Sequence, residues 1–372
     1  METSMNDAVP IVTGNFQPFR LILRDESDLW SPTIEQINAN EYDYVKLHRL
    51  STSFDVGIAP FSLGVCFDGT LFLPAIGENR DRASVLSTFN KTLTELLIGG
   101  LYCEAVTPDD IGYGSLSSTT YVKSLGGAIG PSAAFHFAAK TKYIGLLDVI
   151  NLFEPETVTV KTMKECLSAG RELLSKLGDI PFEQVLYGTT FYVRKQWAES
   201  LIHIWTTTER IIEIAWQKYV VKVGDKPSKK RRAFLDDHRT WPISAKLEVL
   251  FQKSLIPETT LRTLDEVRKA RNDFAHRGLV PTHKLATMAL ESCFELASLC
   301  SSEFSNPDLF NGVVSLVTKR CTPELYPEKT MSTKLNPTHF LSLPPLPGDK
   351  EWGDKPYEKV VKIVLTKLNE EV

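Results

Sequence analysis

The sequence predicts an α+β protein in which a mixed α/β N-terminal domain precedes an all-α bundle of four helices. Short apolar or alternating runs, typical of strands, are confined to the first half of the chain. From residue 191 onward, hydrophobic residues recur at helical spacing instead, and prolines interrupt the chain after residue 306. We therefore expect a mixed α/β domain over 1–185, a helical bundle over 186–306, and a proline-rich tail with a terminal amphipathic helix over 307–372.

Composition restricts the classes of protein to which this chain can belong. Its 372 residues include 42 Lys+Arg and 46 Asp+Glu, and 42% of them are hydrophobic, which is typical of a soluble globular protein. Collagen-like, low-complexity and wholly disordered proteins are excluded. A net charge of −4 argues against a polybasic protein, although a local basic patch would still permit nucleic-acid binding. No run reaches the roughly 18 apolar residues of a membrane span, so we expect no membrane association.

Cysteine and histidine usage favours a cytoplasmic protein without a metal centre. The six cysteines form no C-x-x-C pair, and the N-terminus shows neither the basic start nor the apolar run of a secretory signal. We expect reduced thiols and a cytoplasmic location. The seven histidines lack the spacing of a zinc site, so neither a metal nor a cofactor is predicted.

The N-terminal domain shows both strand and helix patterns. Asp68-Gly69 separates two strand-like runs and predicts a hairpin turn. Apolar residues at helical spacing predict helices over 85–97, ended by Gly99, and over 163–177. The runs that predict strands are Phe19–Leu23, Tyr44–Leu47, Phe54–Ile58, Gly64–Phe67 and Leu71–Leu73.

A glycine-rich segment, Gly126–Ser132, is the one feature of this domain that resembles a phosphate-binding loop. It lacks the G-x-G-x-x-G spacing, and no Gly-Lys-Ser/Thr follows it. We therefore interpret it as a plain turn. A small-molecule enzyme centred on this domain has only this segment in its favour.

The C-terminal domain consists of four predicted helices. The first is a long amphipathic helix over 197–219, with tryptophans on its buried stripe. The second begins near Ser244, the third is capped by Thr259 or Thr260, and the fourth has Pro281 in its first turn. Four helices with modest connections predict a bundle.

A basic stretch separates the first two of these helices. Gly224 and Pro227 predict that it is a loop, and Asp225 is its one acidic residue. Its last four cations could track the phosphate backbone of RNA, while a solvated loop is an equally good interpretation. These four residues are Lys229, Lys230, Arg231 and Arg232.

The third helix carries an arginine where its buried stripe should continue with an apolar residue. The stripe consists of Leu261, Leu264 and Val267. Arg271 comes next, and a buried arginine is costly unless it faces a partner, a cleft or an anion. His276 follows five residues later, just before Gly278 is expected to end the helix. In an unbroken helix this spacing points the two side chains about 140° apart, so a kink or a partner subunit would be needed to bring them together.

The segment Arg271-Asn272-Asp273-Phe274-Ala275-His276 resembles the motif of the HEPN family (higher-eukaryote and prokaryote nucleotide-binding domains). Nucleases of that family carry an arginine, four to six further residues and a histidine, often with a polar residue directly after the arginine. The bare spacing is not specific, because the pairs Arg232–His238 and Arg277–His283 also satisfy it. The third-helix position and the flanking residue types, Asn272 and Ala275, carry the resemblance.

The resemblance covers about residues 190–305 and implies a metal-independent endoribonuclease. Histidine titrates near neutrality, so His276 could exchange a proton with the 2′-hydroxyl or the leaving oxygen of RNA. Arg271 could hold the scissile phosphate, and Asn272 could orient either group. In the family, a two-fold homodimer places two arginines and two histidines in one groove.

The overall layout is similar to prokaryotic anti-phage defence proteins, in which a variable N-terminal module precedes such a bundle. The resemblance therefore implies a toxin-like effector whose N-terminal domain responds to a phage-derived or nucleotide trigger. The alternative is a non-catalytic bundle that serves dimerisation or binds a nucleotide or RNA.

Overall fold

A computed structural model describes most of the chain and shows a mixed α+β protein. The predicted tail and its terminal helix lie outside the described residues, apart from a short segment. No helix among those residues is long and apolar enough to cross a bilayer. The described residues are 8–58, 61–143, 149–177, 180–222, 228–300 and 310–321.

Strands in the described residues form a six-stranded antiparallel sheet and a separate parallel pair. They are β1 (Val9–Gly14), β2 (Arg20–Leu23), β3 (Leu50–Ile58), β4 (Phe61–Cys66), β5 (Leu71–Pro74), β6 (Ile111–Leu116), β7 (Val122–Gly126) and β8 (Glu156–Thr159). The large sheet has the order β3-β4-β5-β1-β6-β7, and the pair consists of β2 and β8. β1 therefore lies inside the sheet, hydrogen-bonded to β5 and β6.

Thirteen α-helices lie in the described residues, and α8 continues into a π-helical turn over Gln217–Val221. The helices of the first half are α1 (Ile34–Asn38), α2 (Tyr44–Leu47), α3 (Arg82–Ile98), α4 (Pro131–Thr141), α5 (Val149–Phe153) and α6 (Val160–Leu177). Those of the second half are α7 (Glu183–Val193), α8 (Trp197–Trp216), α9 (Lys229–Leu235), α10 (Ile243–Gln252), α11 (Glu258–Arg277), α12 (His283–Cys300) and α13 (Asn311–Thr318).

The sheet is covered by helices on both faces. The Phe89 ring of α3 lies over Gly14 of β1, so closely that a Cβ there would come within 2.6 Å of the ring. Because side chains alternate along a strand, the neighbours Thr13 and Asn15 face the opposite side of the sheet, where they line a cavity together with α4. β1 thus separates a face packed on α3 from a face packed on α4.

Helix α8 is the centre of the second half, in contact with α7, α10, α11 and α12. One apolar cluster extends from Leu71 in the sheet through Phe89 of α3 to Trp205 of α8 and Leu290 of α12. Helix α7 spans the predicted boundary between residues 185 and 186. The described residues up to Cys321 consequently form one compact unit.

Local patterns predicted several of these elements well. Four of the five predicted strands coincide with β2, β3, β4 and β5, and the two predicted helices with α3 and α6. The predicted turn at Asp68-Gly69 joins β4 to β5: the Gly69 N–H donates to the carbonyl oxygen of Cys66 at 2.9 Å. Gly69 has φ +85°, a conformation that favours glycine.

Other predictions were wrong at the level of local structure. The fifth predicted strand, Tyr44–Leu47, is helix α2, because the Asp43 carboxylate accepts the N–H of Lys46 at 3.1 Å and so caps a helical turn. The basic stretch is not a loop over its last four cations, which lie in α9. Ser228 caps that helix by accepting the N–H of Arg231 at 3.3 Å.

Two predicted helix starts were also shifted. The third bundle helix begins at Glu258, with Pro257 rather than Thr259 or Thr260 at the N-cap. The fourth begins at His283, so Pro281 precedes its first turn. Gly224 and Pro227 lie outside the described residues.

Candidate functional site

Helix α11 carries the Arg–His motif and runs through it without a break. It ends where expected: Gly278 is left-handed, with φ +68°, and its N–H donates to the carbonyl oxygen of Phe274 at 2.9 Å. Arg271 and His276 therefore lie five residues apart on one regular helix and point about 140° apart. The kink that could have brought them together within one chain does not occur.

Arg271 lies at the edge of the α8–α11 interface rather than deep inside it. Its side chain is 36% exposed, and Nη2 is 3.5 Å from Oε1 of Glu209 on α8. The same Glu209 oxygen accepts a much shorter hydrogen bond, 2.6 Å, from Nε1 of Trp205. The carboxylate is thus fixed by the tryptophan and only loosely engaged by the arginine, which keeps guanidinium donors for an incoming anion.

The side chain of Asn272 forms a hydrogen bond with the neighbouring Arg271. Its Oδ1 accepts a hydrogen bond from Nη1 of Arg271 at 2.9 Å, and its side chain is partly buried. Of the two orienting roles predicted for Asn272, the structure is consistent with the one toward the arginine.

His276 is exposed in the last turn of α11, and no hydrogen bond or ion pair of its imidazole is found among the described residues. Nearby, the carboxylate of Asp273 forms an ion pair with Arg277 at 3.2 Å. The acidic residue of the motif therefore pairs with Arg277 and not with His276. Leu279 and Val280, which follow the helix, are 50% and 69% exposed. Among the described residues the imidazole therefore has no polar partner, and it lies beside the exposed apolar residues Leu279 and Val280.

The four predicted RNA-binding cations occupy the first four positions of α9, a helix of seven residues, and are all exposed. Cations are disfavoured at a helix N-terminus, because they meet the positive end of the helix dipole. Arg232 has a distant carboxylate partner in Asp236, at 3.8 Å. For Lys229, Lys230 and Arg231 no ion pair is found within the described part of the chain. Helix stability thus does not explain the positive charge of Lys229, Lys230 and Arg231.

An aromatic side chain lies next to these cations. Phe234 of α9 is 53% exposed, and its ring packs edge-on against Trp241 with the centroids 5.8 Å apart. Since residues three and four apart share a helix face, Phe234 follows Lys230 and Arg231 on one side of α9. A flat aromatic surface beside exposed cations is an arrangement that suits single-stranded nucleic acid.

Sequence reasoning missed Glu209, which belongs to α8 and lies 62 residues from Arg271 along the chain. A signal was present, because Glu209 follows Trp205 by one helical turn, where its carboxylate could accept the indole N–H. That signal identifies a partner for the tryptophan but not for the arginine.

Compared with known proteins, the chain matches no family model, no curated protein and no solved structure.

Proposed function

We propose that this protein is a metal-independent endoribonuclease that acts as a homodimer. The observation that carries the proposal is the state of the motif on α11: His276 is exposed without a partner among the described residues, and Arg271 is only loosely engaged by Glu209 at 3.5 Å. An exposed imidazole and a loosely engaged guanidinium are both able to contact a substrate without first losing a strong partner.

The chemistry available to these groups is attack of the RNA 2′-hydroxyl on the adjacent phosphate. The bond from the 2′ oxygen to phosphorus forms while the bond from phosphorus to the 5′ oxygen breaks. One neutral imidazole accepts the 2′-hydroxyl proton, and one imidazolium gives a proton to the departing 5′ oxygen. Arg271 stabilises the charge that builds up on the phosphate, with Asn272 holding its guanidinium. The products are a 2′,3′-cyclic phosphate and a 5′-hydroxyl.

A two-fold homodimer would provide the second histidine that one chain lacks at the motif, and could bring an arginine and a histidine together. Within one chain Arg271 and His276 diverge by about 140° along an unbroken helix, and only one histidine is present at the motif. A two-fold axis near the end of α11 would place two copies of each in a shared groove. Leu279 and Val280, exposed beside His276, offer apolar surface for such a contact.

RNA is the partner that the charge distribution favours. In a chain with a net charge of −4, α9 concentrates four exposed cations at its first four positions, next to Phe234. We assign Lys229, Lys230, Arg231 and Arg232 to contacts with the RNA backbone.

The biological role that fits this activity is a toxin-like effector of prokaryotic anti-phage defence, in the cytoplasm. This part of the proposal rests on the resemblance in domain layout alone. The N-terminal half would then hold the nuclease in check until a phage-derived or nucleotide trigger binds.

A specific observation favours a second candidate, a non-catalytic bundle that dimerises or binds a nucleotide or RNA. Arg271 has polar partners within its own chain, Glu209 and Asn272, and His276 does not join them. A non-catalytic bundle in which these side chains are simply solvated on the surface would have the same contacts.

The decisive experiment is incubation of the full chain with single-stranded RNA in EDTA, followed by analysis of the product ends. We expect fragments with 2′,3′-cyclic phosphate and 5′-hydroxyl ends, and no cleavage of DNA of the same sequence, which lacks the 2′-hydroxyl. The variant His276→Ala serves as the control for contaminating nuclease. Binding of RNA without cleavage would select the non-catalytic bundle.

A further inference from the structure

Phe234 is an aromatic residue that α9 holds at the surface, one turn after its cations. The next residue, Leu235, enters the apolar cluster that contains Trp216 and Val221. Phe234 does not belong to that cluster, and 53% of it is exposed. Single exposed apolar residues are common on protein surfaces, so exposure alone indicates no function. The support of this ring and the charges beside it are the informative features.

The segment that carries Phe234 is attached firmly to helix α8. The indole N–H of Trp216, the last residue of α8, donates to the carbonyl oxygen of Leu235 at 3.0 Å. Trp241 packs against both Trp216 and Phe234, with ring centroids 5.1 and 5.8 Å apart. The backbone N–H of Trp241 in turn donates to the carbonyl oxygen of Asp237 at 2.9 Å. Phe234 is therefore held in place before a ligand arrives, which lowers the entropic cost of binding.

The contact with Trp241 leaves part of the Phe234 ring open. The two rings are nearly perpendicular, with an interplanar angle of 82°, so Trp241 covers at most one face of Phe234. Since more than half of Phe234 is exposed, an aromatic face is accessible from solvent. Such a face is the surface on which another planar aromatic group stacks.

The charges near the ring indicate the kind of group that stacks on it. Lys230 and Arg231 precede Phe234 by one helical turn, are exposed, and form no ion pair that is found among the described residues. Cβ atoms one turn apart on a helix are separated by about 5–6 Å. A ligand that reaches both the ring and the cations must therefore combine a planar group with a nearby anion. A nucleotide does so, because one sugar joins its base to its phosphate.

We propose that the Phe234 ring stacks on an unpaired base of bound RNA, so that this side of α9 prefers single-stranded to double-stranded RNA. The inference rests on the proposed function, in which RNA is the partner of α9. The cations at 229–232 extend beyond the reach of one phosphate, which favours a strand over a free nucleotide. In a duplex the neighbouring bases cover both faces of an internal base, so stacking on Phe234 would first require unstacking. Because every base has a π face, the contact tolerates any sequence.

Binding of 2′-O-methyl RNA to the full chain, followed by fluorescence anisotropy, tests this proposal without cleavage, because the methylated oxygen cannot attack the phosphate. Three oligomers of equal length carry the same number of phosphates: an unstructured single strand, a hairpin, and a strand without bases. We expect the single strand to bind most tightly. The hairpin and the abasic strand keep the contacts of the phosphates with the cations but offer no free base face, so both should bind more weakly.

Variants of the ring assign this preference to Phe234. Phe234→Leu keeps an apolar side chain but removes the aromatic face, and should weaken binding of the single strand about fivefold or more. It should leave the salt slope and the binding of the abasic strand unchanged, because no phosphate contact is lost. Phe234→Tyr, which preserves a flat ring, should bind as the wild type does. Phe137→Leu, at a similarly exposed phenylalanine on α4, is the matched control and should have no effect.

Unchanged binding of the single strand by Phe234→Leu would overturn the proposal, as would an equal loss for the abasic strand. If that variant failed to unfold cooperatively, the wild type alone would decide, and a hairpin bound as tightly as the single strand would overturn the proposal. Displacement of the single strand by an equal concentration of AMP would also overturn it, by showing a mononucleotide site. None of these readouts involves cleavage. Cleavage of RNA with no effect of Phe234→Leu would refute this inference alone, and the reverse result would refute only the nuclease.

Discussion

Glu209 and Arg271 approach each other across the α8–α11 interface to 3.5 Å, while the same Glu209 oxygen accepts a 2.6 Å hydrogen bond from Trp205. The carboxylate therefore belongs firmly to α8 and is only a weak partner of the arginine. Both side chains are about one-third exposed, so solvent screens their attraction. An RNA phosphate that approaches Arg271 would compete with this weak contact and would also meet the repulsion of the carboxylate.

The first prediction concerns this repulsion. Glu209→Gln keeps an oxygen for the Trp205 N–H but removes the negative charge beside Arg271. We expect KM for RNA to fall several-fold at low salt, with kcat nearly unchanged, because the charge affects phosphate binding more than the reacting groups. Glu199→Gln, on an exposed position of the same helix, is the matched control. A lower kcat in Glu209→Gln would instead show that the carboxylate positions Arg271 for the reaction.

The second prediction concerns catalysis. Arg271→Ala should lower kcat by about 10²–10³-fold, through loss of charge stabilisation, and His276→Ala by about 10²–10⁴-fold, through loss of proton transfer. Both side chains are at least partly exposed, so the fold should survive both changes. Arg277→Ala, the neighbouring arginine at the same helix end, should retain activity. Wild-type rates in His276→Ala, or cleavage that requires magnesium, would show that the catalytic assignment is wrong.

The third prediction concerns assembly. Since one chain separates Arg271 from His276 by about 140° on α11, activity should require a dimer. Sedimentation should show a homodimer, and Val280→Glu should weaken it by placing a charge on an exposed apolar residue beside the motif. Specific activity of that variant should fall with dilution together with the dimer fraction. A fully active monomer would contradict the composite site.

Features governed by neighbouring residues were predictable from the sequence. The turn at Asp68-Gly69 and the end of α11 at Gly278 depend on glycines in left-handed conformations, and both were predicted. The short helix at 44–47 was missed because its apolar residues also suit a strand, and the cap from Asp43 decides the outcome.

Features governed by distant contacts were not predictable. Asp68 was interpreted only as a turn residue, yet its carboxylate pairs with His136, 68 residues away along the chain. Glu209 likewise meets Arg271 across 62 residues. Nothing in a single sequence specifies which of many acids and bases will be buried together, because that depends on how the sheet and the helices pack.

The fourth prediction concerns His48, which is buried and lies between two carbonyl oxygens, 2.8 Å from that of Val122 and 3.3 Å from that of Lys140. Burial, and next the charge of Lys140, lower the pKa of His48 below its ordinary value of 6.5. As the pH falls, His48 is therefore protonated near pH 6.5 in the unfolded chain but only at a lower pH in the folded chain. The stabilising contribution of neutral His48 is fully present above pH 6.5 and is lost as the pH falls through the lower, folded-state pKa.

Urea unfolding measured on both sides of pH 6.5 tests this sign. We compare the wild type with His48→Phe, which preserves a ring to stack on Tyr121. Below pH 6.5 the free energy of unfolding of the wild type should fall more steeply than that of the variant, by at most about 1.4 kcal/mol per pH unit for one proton. Parallel pH profiles would contradict the assignment of this proton to His48.

The last prediction concerns the four consecutive cations with which α9 begins. Changing Lys229, Lys230, Arg231 and Arg232 to Glu should weaken RNA binding and flatten its salt dependence. Each lost phosphate contact lowers the log–log salt slope by about 0.7 for a single strand. Acidic residues suit the N-terminus of a helix better than basic ones, so reversal of Lys229, Lys230 and Arg231 should preserve α9, whereas Arg232→Glu replaces the ion pair with Asp236 by a repulsion. The double variant Lys229→Glu with Lys230→Glu leaves that ion pair intact, so weaker binding in it could not be attributed to unfolding of the helix.

A smaller charge-matched pair excludes a general effect of net charge. Lys229→Glu with Lys230→Glu changes the net charge by the same amount as Lys161→Glu with Lys164→Glu, on two exposed positions in the first turns of α6. We expect the α9 pair to lower the salt slope, measured at three salt concentrations, and the α6 pair to leave it near the wild-type value. The kcat at saturating RNA should change little in either, because neither pair belongs to the Arg271–His276 motif. Equal slopes in both pairs would assign the α9 cations to solvent, and the groove at the end of α11 would then have to account for RNA binding by itself.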